Sequence, residues 1–220
     1  PHEDLRYPEG TPSQHLYTNA IRTYARAPHL FIGFPTRYLP DEGQRVEPIF
    51  MVSRDGVNFR RYDKPVIPEA APSDRAGNRS NYMTWGLLRL PGKPEELSVY
   101  ATEAYYGPRP GRVRRFVYRL DGFVSLRAGE KGGEMLSKPL TFAGSELVLN
   151  YEAREGGSVR IELQDPENRD PIAGFALEES VALDGDSVEA TVAWEGGPDL
   201  EAWNGRPIRV RLVMKDADVY

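Results

Sequence analysis

Residues 78–106 read NRSNYMTWGLLRLPGKPEELSVYATEAYY, and this stretch has the pattern of one β-hairpin. Its turn is Pro91-Gly92-Lys93-Pro94, because proline and glycine mark reversals of the chain. After the turn, apolar Leu97, Val99 and Ala101 alternate with polar residues, which is the period of a strand with one buried face. The stretch therefore predicts two antiparallel strands.

The rest of the chain repeats this pattern of short apolar runs separated by turn residues. The 21 glycines and 19 prolines are spread evenly, and no segment has a sustained helical period. We predict an all-β protein with two four-stranded propeller-like blades followed by an antiparallel β-sandwich. The predicted strands are 16–24, 30–34, 48–53 and 58–62 for the first blade, and 81–88, 97–103, 113–120 and 123–127 for the second.

The character of the sequence changes after the segment 128–133. Val159, Ile161 and Leu163 alternate with charged residues, and the same alternation recurs at 208–214. Strands with one apolar and one charged face are typical of antiparallel sandwiches. We therefore predict an N-terminal arm at 1–14, propeller-like blades forming a partial propeller at 15–128, and a β-sandwich domain at 132–220.

The segment Ser53–Phe59, SRDGVNF, predicts a tight turn held by its own side chains. Asp55 can accept backbone N–H groups while Gly56 takes a positive φ. The segment resembles the Asp-box turn, S-x-D-x-G-x-x-W, of sialidase-like propellers, but it lacks the residue between Asp and Gly and has Phe59 in place of Trp. We interpret Asp55 as a turn-stabilising residue and not as a catalytic one.

Composition excludes several classes of function. The net charge of −5 and pI near 5.4 oppose nucleic acid as the main partner. The absence of cysteine rules out thiol catalysis, disulfides and thiolate zinc sites. No apolar run approaches the roughly 20 residues of a membrane helix. No signal peptide is visible and the sequence starts at Pro1, so we expect a processed, trimmed or partial chain.

The sequence predicts neither a cofactor nor a metal. The three histidines have no metal-binding spacing. The acidic stretches 165–168 and 184–186 lack the calcium-loop pattern, and we interpret them as solvated turns.

The order of several segments resembles a known group of proteins. These segments are TNAIRTYARAPHLFIGFPTRY (18–38), SRDGVNFRRYD (53–63), NYMTWGLL (81–88), ELSVYATEAYY (96–106), RRFVYRLDGFVSLRAG (114–129), GEMLSKPLTFAGSELVLNY (133–151) and VRLVMKDADVY (210–220). Together they are similar to the C-terminal portion of bacterial proteins related to glycoside hydrolase family 32, with a five-bladed β-propeller followed by a β-sandwich. The resemblance implies a carbohydrate-active, polysaccharide-degrading protein that is secreted, and hence extracellular or periplasmic.

In families 32 and 43 the catalytic carboxylates lie on early blades, and their signatures of the WMNDPNG, RDP and EC type are absent here. The resemblance therefore implies that the usual acid and nucleophile lie upstream, on blades supplied by the rest of the chain or by another chain. Two functions stay open. One is part of a glycoside hydrolase, and the other is a non-catalytic carbohydrate-binding module. A sialidase-like relative is a weaker third hypothesis, based on the turn at Asp55.

Glu103 is the candidate catalytic carboxylate, because it ends an apolar strand face beside two tyrosines. Apolar surroundings suit a general acid. The alternative is a structural glutamate paired with Arg79 or Arg115. A glycosidase needs a second carboxylate at a defined separation. The candidates for it are Asp41, Glu42 and Glu47, on the long loop between the predicted strands 30–34 and 48–53.

Four aromatic residues are candidates for a sugar-stacking platform: Tyr82, Trp85, Tyr105 and Tyr106. The C–H faces of a pyranose lie well on aromatic rings, while Asn19, Arg79 and Asn81 would contact its hydroxyl groups. The alternative is that these aromatic residues pack between blades.

Overall fold

The computed structural model describes residues 13–67, 81–106 and 111–220. Within these ranges the chain forms two compact units, the first ending at Tyr118 and the second beginning at Arg119. The strands are β1 His15–Leu16, β2 Ile21–Tyr24, β3 Ala27–Gly33, β4 Thr36–Leu39, β5 Arg45–Pro48, β6 Phe50–Ser53, β7 Arg60–Tyr62, β8 Tyr82–Met83, β9 Glu96–Glu103, β10 Arg112–Arg119, β11 Leu126–Ala128, β12 Gly133–Leu136, β13 Val148–Gln164, β14 Asp186–Thr191 and β15 Arg209–Val219. A 3-10 turn at Glu201–Trp203 is the only helical element that the described ranges contain. The prediction of an all-β fold is confirmed.

The first sheet is a four-stranded antiparallel meander in the order β2-β3-β6-β7. This is the strand order expected for the first blade. The predicted strand 16–24 is instead two strands, because Ala20 has a left-handed φ of 42° that interrupts the extended chain. The part before this break, β1, pairs with β4 in a different sheet.

A second sheet has the order β1-β4-β5, and its β4-β5 hairpin lies between β3 and β6 in the sequence. Residues 36–47 were expected to form a loop. They form a hairpin in which Tyr38 pairs with Val46, and its turn uses the positive φ of Gly43 and Gln44. An ion pair between buried Arg37 and buried Glu47 joins its two strands.

The hairpin at 78–106 is confirmed over its described residues. Tyr82 pairs with Thr102, and Leu88 forms an isolated bridge with Ser98. The turn between them contains Gly92 at a φ of 75°. However, the sheet has three strands, in the order β10-β9-β8, and not the four predicted.

The predicted fourth strand of the second blade belongs to the second unit. Residues Leu126–Ala128 pair with Val219, Asp218 and Ala217 of β15. Arg119 also donates to Asn150 Oδ1 and to the Tyr151 carbonyl. The division of the chain therefore lies after Tyr118, earlier than the predicted 128–132, because these contacts join residues 119–128 to the second unit.

The second unit is a five-stranded antiparallel sheet in which β15 pairs with β11, β12 and β13, and β13 also pairs with β14. The pairing register between β13 and β15 shifts between Ala153 and Ser158. Here the four residues 154–157 of β13 lie opposite the single residue Asp216 of β15. Such a bulge bends a strand and increases its twist. The alternating apolar faces predicted from sequence meet in one core, which includes Val159, Ile161 and Leu163.

Trp194 and Trp203 both pack in the second unit. Trp194 lies in the core of the second unit, edge-on to Phe175, and donates its indole N–H to the Ile161 carbonyl at 2.9 Å. Trp203 packs against the same core.

The turn at Ser53–Phe59 also forms as predicted. Asp55 accepts hydrogen bonds from the backbone N–H groups of Val57 and Asn58, and Gly56 has a φ of 73°. The side-chain amide of Asn58, these backbone donors and the Ser53 hydroxyl together lower the pKa of Asp55 well below its usual value. These are the contacts of a turn-stabilising carboxylate.

Candidate functional site

Five tyrosines of the first unit lie near one another, and their rings are exposed or half-buried. The Tyr105 ring lies 5.0 Å from the Tyr82 ring and 5.0 Å from the Tyr106 ring, and the Tyr17 ring stacks on Tyr38 at 4.9 Å. The Tyr17 phenol is close enough to Tyr82 to help raise the pKa of the latter. We call these five residues the tyrosine patch.

Backbone geometry at the end of β9 presents this patch. The strand ends at Glu103, and Ala104 has a left-handed φ of 50°. An alanine in this conformation is strained by roughly 1 kcal/mol. The reversal brings the Tyr105 ring beside Tyr82 on β8 instead of continuing the strand. The rings remain open to solvent, with Tyr105 56% exposed and Tyr106 43% exposed.

The hydroxyl groups of the patch interact as well as its rings. Tyr82 and Tyr106 share a hydrogen bond of 3.2 Å between their phenol oxygens. Partial burial and this hydrogen bond raise the pKa of Tyr82. The phenol therefore stays neutral at physiological pH, as a donor and acceptor for hydroxyl groups.

Glu103 lies beneath this edge and is fully buried. Arg112 Nε donates to its Oε2 at 2.8 Å, and Arg114 lies 2.6 Å from its Oε1, in an ion pair without hydrogen-bond geometry. Of the partners proposed from sequence, Arg115 instead contacts Glu96 and Ser98, and Arg79 lies outside the described residues. The catalytic role of Glu103 stays a prediction.

The three candidates for a second carboxylate are already engaged in the first unit. Glu47 is buried against Arg37, Glu42 pairs with Arg45 at 2.5 Å, and Asp41 accepts the Ser13 N–H at 3.4 Å. The second carboxylate of a catalytic pair therefore stays a prediction.

Asn81 is fully buried, one position before the patch residue Tyr82. Its backbone N–H donates to the Val46 carbonyl, and neither polar atom of its side-chain amide has a partner among the described residues. An unsatisfied buried amide costs about 1–3 kcal/mol. Asn19 is exposed and has no contact that joins it to the patch. The proposed hydroxyl contacts of Asn19, Arg79 and Asn81 therefore stay predictions.

Trp85 does not belong to the tyrosine patch. Its ring is half exposed and lines a separate cleft, where the Arg22 guanidinium lies over it at 3.5 Å. The four aromatic residues grouped by the sequence analysis thus divide into two surfaces of the same unit.

Sequence reasoning missed Tyr17 and Tyr38 in the patch and Arg22 in the cleft. Tyr38 lies on the central strand β4 of the second sheet, which was not predicted, and Tyr17 follows its edge strand β1. Arg22 reaches Trp85 from a different hairpin. The only signal in the sequence was the alternation of His15 and Tyr17 around Leu16, which places both rings on one face.

The described residues contain no group of three or more metal-ligating side chains. His15 packs edge-on against Tyr38 at 5.8 Å, and His29 is exposed. In the described part of the chain, no helix is both long and apolar enough to span a membrane.

Comparison with known proteins provides no relative from which a function could be transferred. The chain matches no family model, no curated protein and no solved structure. The similarity of segment order to family 32 therefore stays a prediction, and the functional argument depends on the geometry of the site.

Proposed function

We propose that this protein is carbohydrate-active and that its first unit binds a poly- or oligosaccharide through the tyrosine patch. The observation that carries the proposal is the cluster of exposed Tyr105 and Tyr106 with half-buried Tyr82. The Tyr105 ring lies 5.0 Å from each of the other two rings, and the Tyr82 and Tyr106 hydroxyl groups are hydrogen-bonded. Exposed apolar surface concentrated in one place marks ligand-binding sites. A tyrosine ring offers an apolar face to sugar C–H groups and a hydroxyl to sugar hydroxyls.

Charge favours a sugar over a nucleic acid, whose bases also stack on aromatic rings. The chain carries a net charge of −5. Binding to a phosphate backbone depends on concentrated Lys and Arg charge. The five patch residues themselves are all uncharged tyrosines.

The reaction class that we propose for the wider protein is glycosidic-bond hydrolysis of the family 32/43 type, with this chain as its C-terminal portion. The strand order of the first meander and the sandwich-like second unit support this proposal. The alternative is a binding module without hydrolase activity. The specific observation that favours the alternative is that both oxygens of Glu103 lie on guanidinium groups and the residue is fully buried.

The binding proposal is tested by a glycan array followed by calorimetric titration of the best glycan. We expect Tyr105→Ala and Tyr106→Ala each to weaken binding by about tenfold or more, which is ~1.4 kcal/mol. Tyr105→Phe, which keeps the ring, should retain most of the affinity. Val57→Ala is the control, because Val57 is exposed on the Ser53–Phe59 turn, outside the patch. Unchanged affinity in both alanine variants would remove the patch from the binding site.

Turnover of fructans and arabinans separates the hydrolase from the binding module. If Glu103 is catalytic, Glu103→Gln abolishes turnover and leaves glycan binding intact. Glu162→Gln is the matched control, since Glu162 is also a buried carboxylate paired with an arginine and it lies in the second unit. Equal losses in the two variants at equal folded fractions would assign Glu103 a structural role. Because the hydrolase proposal places further catalytic carboxylates upstream, turnover is measured on the wider protein; its absence there, with binding present, would favour the module.

A further inference from the structure

The first unit contains a cleft of about 300 Å³ that is distinct from the tyrosine patch. It lies between the β2–β3 hairpin and the segment 85–89. Four buried apolar residues line it: Tyr24, Ile32, Phe34 and Leu97. This volume is in the range of small-molecule sites, which are concave and mostly apolar with a few polar groups.

The charged residues of this cleft all have the same sign. Arg22, Arg26 and Arg89 line it, and its lining contains no aspartate or glutamate. Arg22 forms no ion pair with the carboxylates of the described residues, and its contact is with Trp85. The cleft is thus a cationic site on a chain whose net charge is −5.

Stacking holds the Arg22 guanidinium in place. At 3.5 Å from the Trp85 ring centroid, its face is in van der Waals contact with the indole. This contact uses the face of the guanidinium, whereas the N–H donors lie along its edge in a planar fork that matches an oxyanion. The fork is therefore ordered before a ligand arrives, which reduces the entropic cost of binding.

We propose that this cleft binds the anionic group of an acidic glycan, either a uronate carboxylate or a sulfate ester. The inference rests on the proposed carbohydrate function and deepens it by naming the substrate class. A neutral sugar could offer the Arg22 guanidinium only hydroxyl groups. An oxyanion forms charge-assisted hydrogen bonds, which are roughly twice as strong as neutral ones. The buried apolar residues that line the cleft can pack against the C–H face of the same sugar residue.

Two matched pairs of probes test the proposal by titration of the whole chain. The first pair is tetragalacturonate and its methyl ester, which differ in the charge of the carboxyl groups. The second pair is a sulfated galactan tetrasaccharide and its desulfated form. We expect at least one charged probe to bind at least tenfold more tightly than its neutral counterpart. Its affinity should fall as salt is raised, because exposed charges are screened.

Arg22→Gln identifies the cleft as the site of this preference. We expect the variant to lose at least tenfold in affinity for the charged probe while its affinity for the neutral one is unchanged. Arg54→Gln is the matched control, because it removes the same charge from an exposed position on the Ser53–Phe59 turn. Trp85 lines the cleft, so the part of the tryptophan fluorescence change on binding that Trp85→Phe removes reports occupancy of the cleft.

Three outcomes would overturn the inference, and they separate it from the function it rests on. Equal affinity for charged and neutral probes, or equal behaviour of Arg22→Gln and Arg54→Gln, removes the inference and leaves tyrosine-dependent glycan binding in place. Binding of no glycan, neutral or acidic, removes both proposals.

Discussion

Replacing Gly157 with alanine adds one methyl group at a position where the backbone of the second unit leaves no room for it. A Cβ atom at this position would lie 2.6 Å from the Asp216 carbonyl oxygen, 2.8 Å from that of Lys215 and 2.9 Å from that of Arg154. All three contacts are with backbone, so no side chain can rotate away to relieve them. Gly157→Ala therefore requires the bulge between β13 and β15 to move.

The expected cost follows from this geometry. Forcing extra atoms into a packed site costs about 1–3 kcal/mol. In a domain of 60–100 residues, ~1 kcal/mol corresponds to a change of roughly 4–8 °C in Tm. We therefore expect Gly157→Ala to lower the Tm of the second unit by ~4 °C or more. Calorimetry combined with urea unfolding, followed by the fluorescence of buried Trp194, measures the change.

Gly129→Ala is the matched control for Gly157→Ala. A Cβ atom at Gly129 meets nothing within 4 Å, and its φ is not in the left-handed region. Alanine at such a position stabilises a protein by ~0.4–1 kcal/mol, because it restricts the unfolded chain. If Gly157→Ala unfolds at the same temperature as Gly129→Ala, the close backbone approach at the bulge does not exist.

Three further predictions concern ionisable groups. Burial acts to raise the pKa of Asp218, but hydrogen bonds from Arg127, Ser125 and Arg154 lower it overall. The ionised carboxylate therefore stabilises the fold above its unfolded-state pKa of ~3.9. This stabilisation is lost as the pH falls through the lower pKa of the folded state. Denaturant unfolding of wild type and Asp218→Asn should accordingly differ most at neutral pH and converge as the pH falls below the lowered pKa of the folded state. Burial and the Tyr106 hydroxyl raise the pKa of Tyr82, so Tyr106→Phe should shift the ionisation of one tyrosine to lower pH. Near-ultraviolet absorbance measures this ionisation, and an unaltered titration would contradict the hydrogen bond. Glu103→Gln should reduce the free energy of unfolding in urea by ~1–3 kcal/mol, because it weakens the two ion pairs of a buried carboxylate. A variant as stable as the wild type would show that these ion pairs contribute nothing to stability.

Local patterns were enough to predict the fold class and much of the strand order. The turn at Ser53–Phe59 depends on residues within six positions of one another, and all of its hydrogen bonds are local. The hairpin around Gly92 is also local, and the alternation Val159-Ile161-Leu163 fixes which face is buried. Such features depend on turn chemistry and on the two-residue period of a strand, both of which can be read directly from neighbouring residues.

Only the tertiary structure decided which elements pair at a distance and which side chains meet. Residues 126–128 have the same strand pattern whether they complete the first unit or pair with β15, and the choice depends on backbone partners 89 or more positions away. Likewise, Arg22 reaches Trp85 and Tyr17 approaches Tyr82 only because separate hairpins lie side by side. The sequence determined the fold class, the turns at Ser53–Phe59 and Gly92 and the buried face of β13, because those are set by neighbouring residues. The surface proposed to bind sugar arose from long-range packing, which no local pattern encodes.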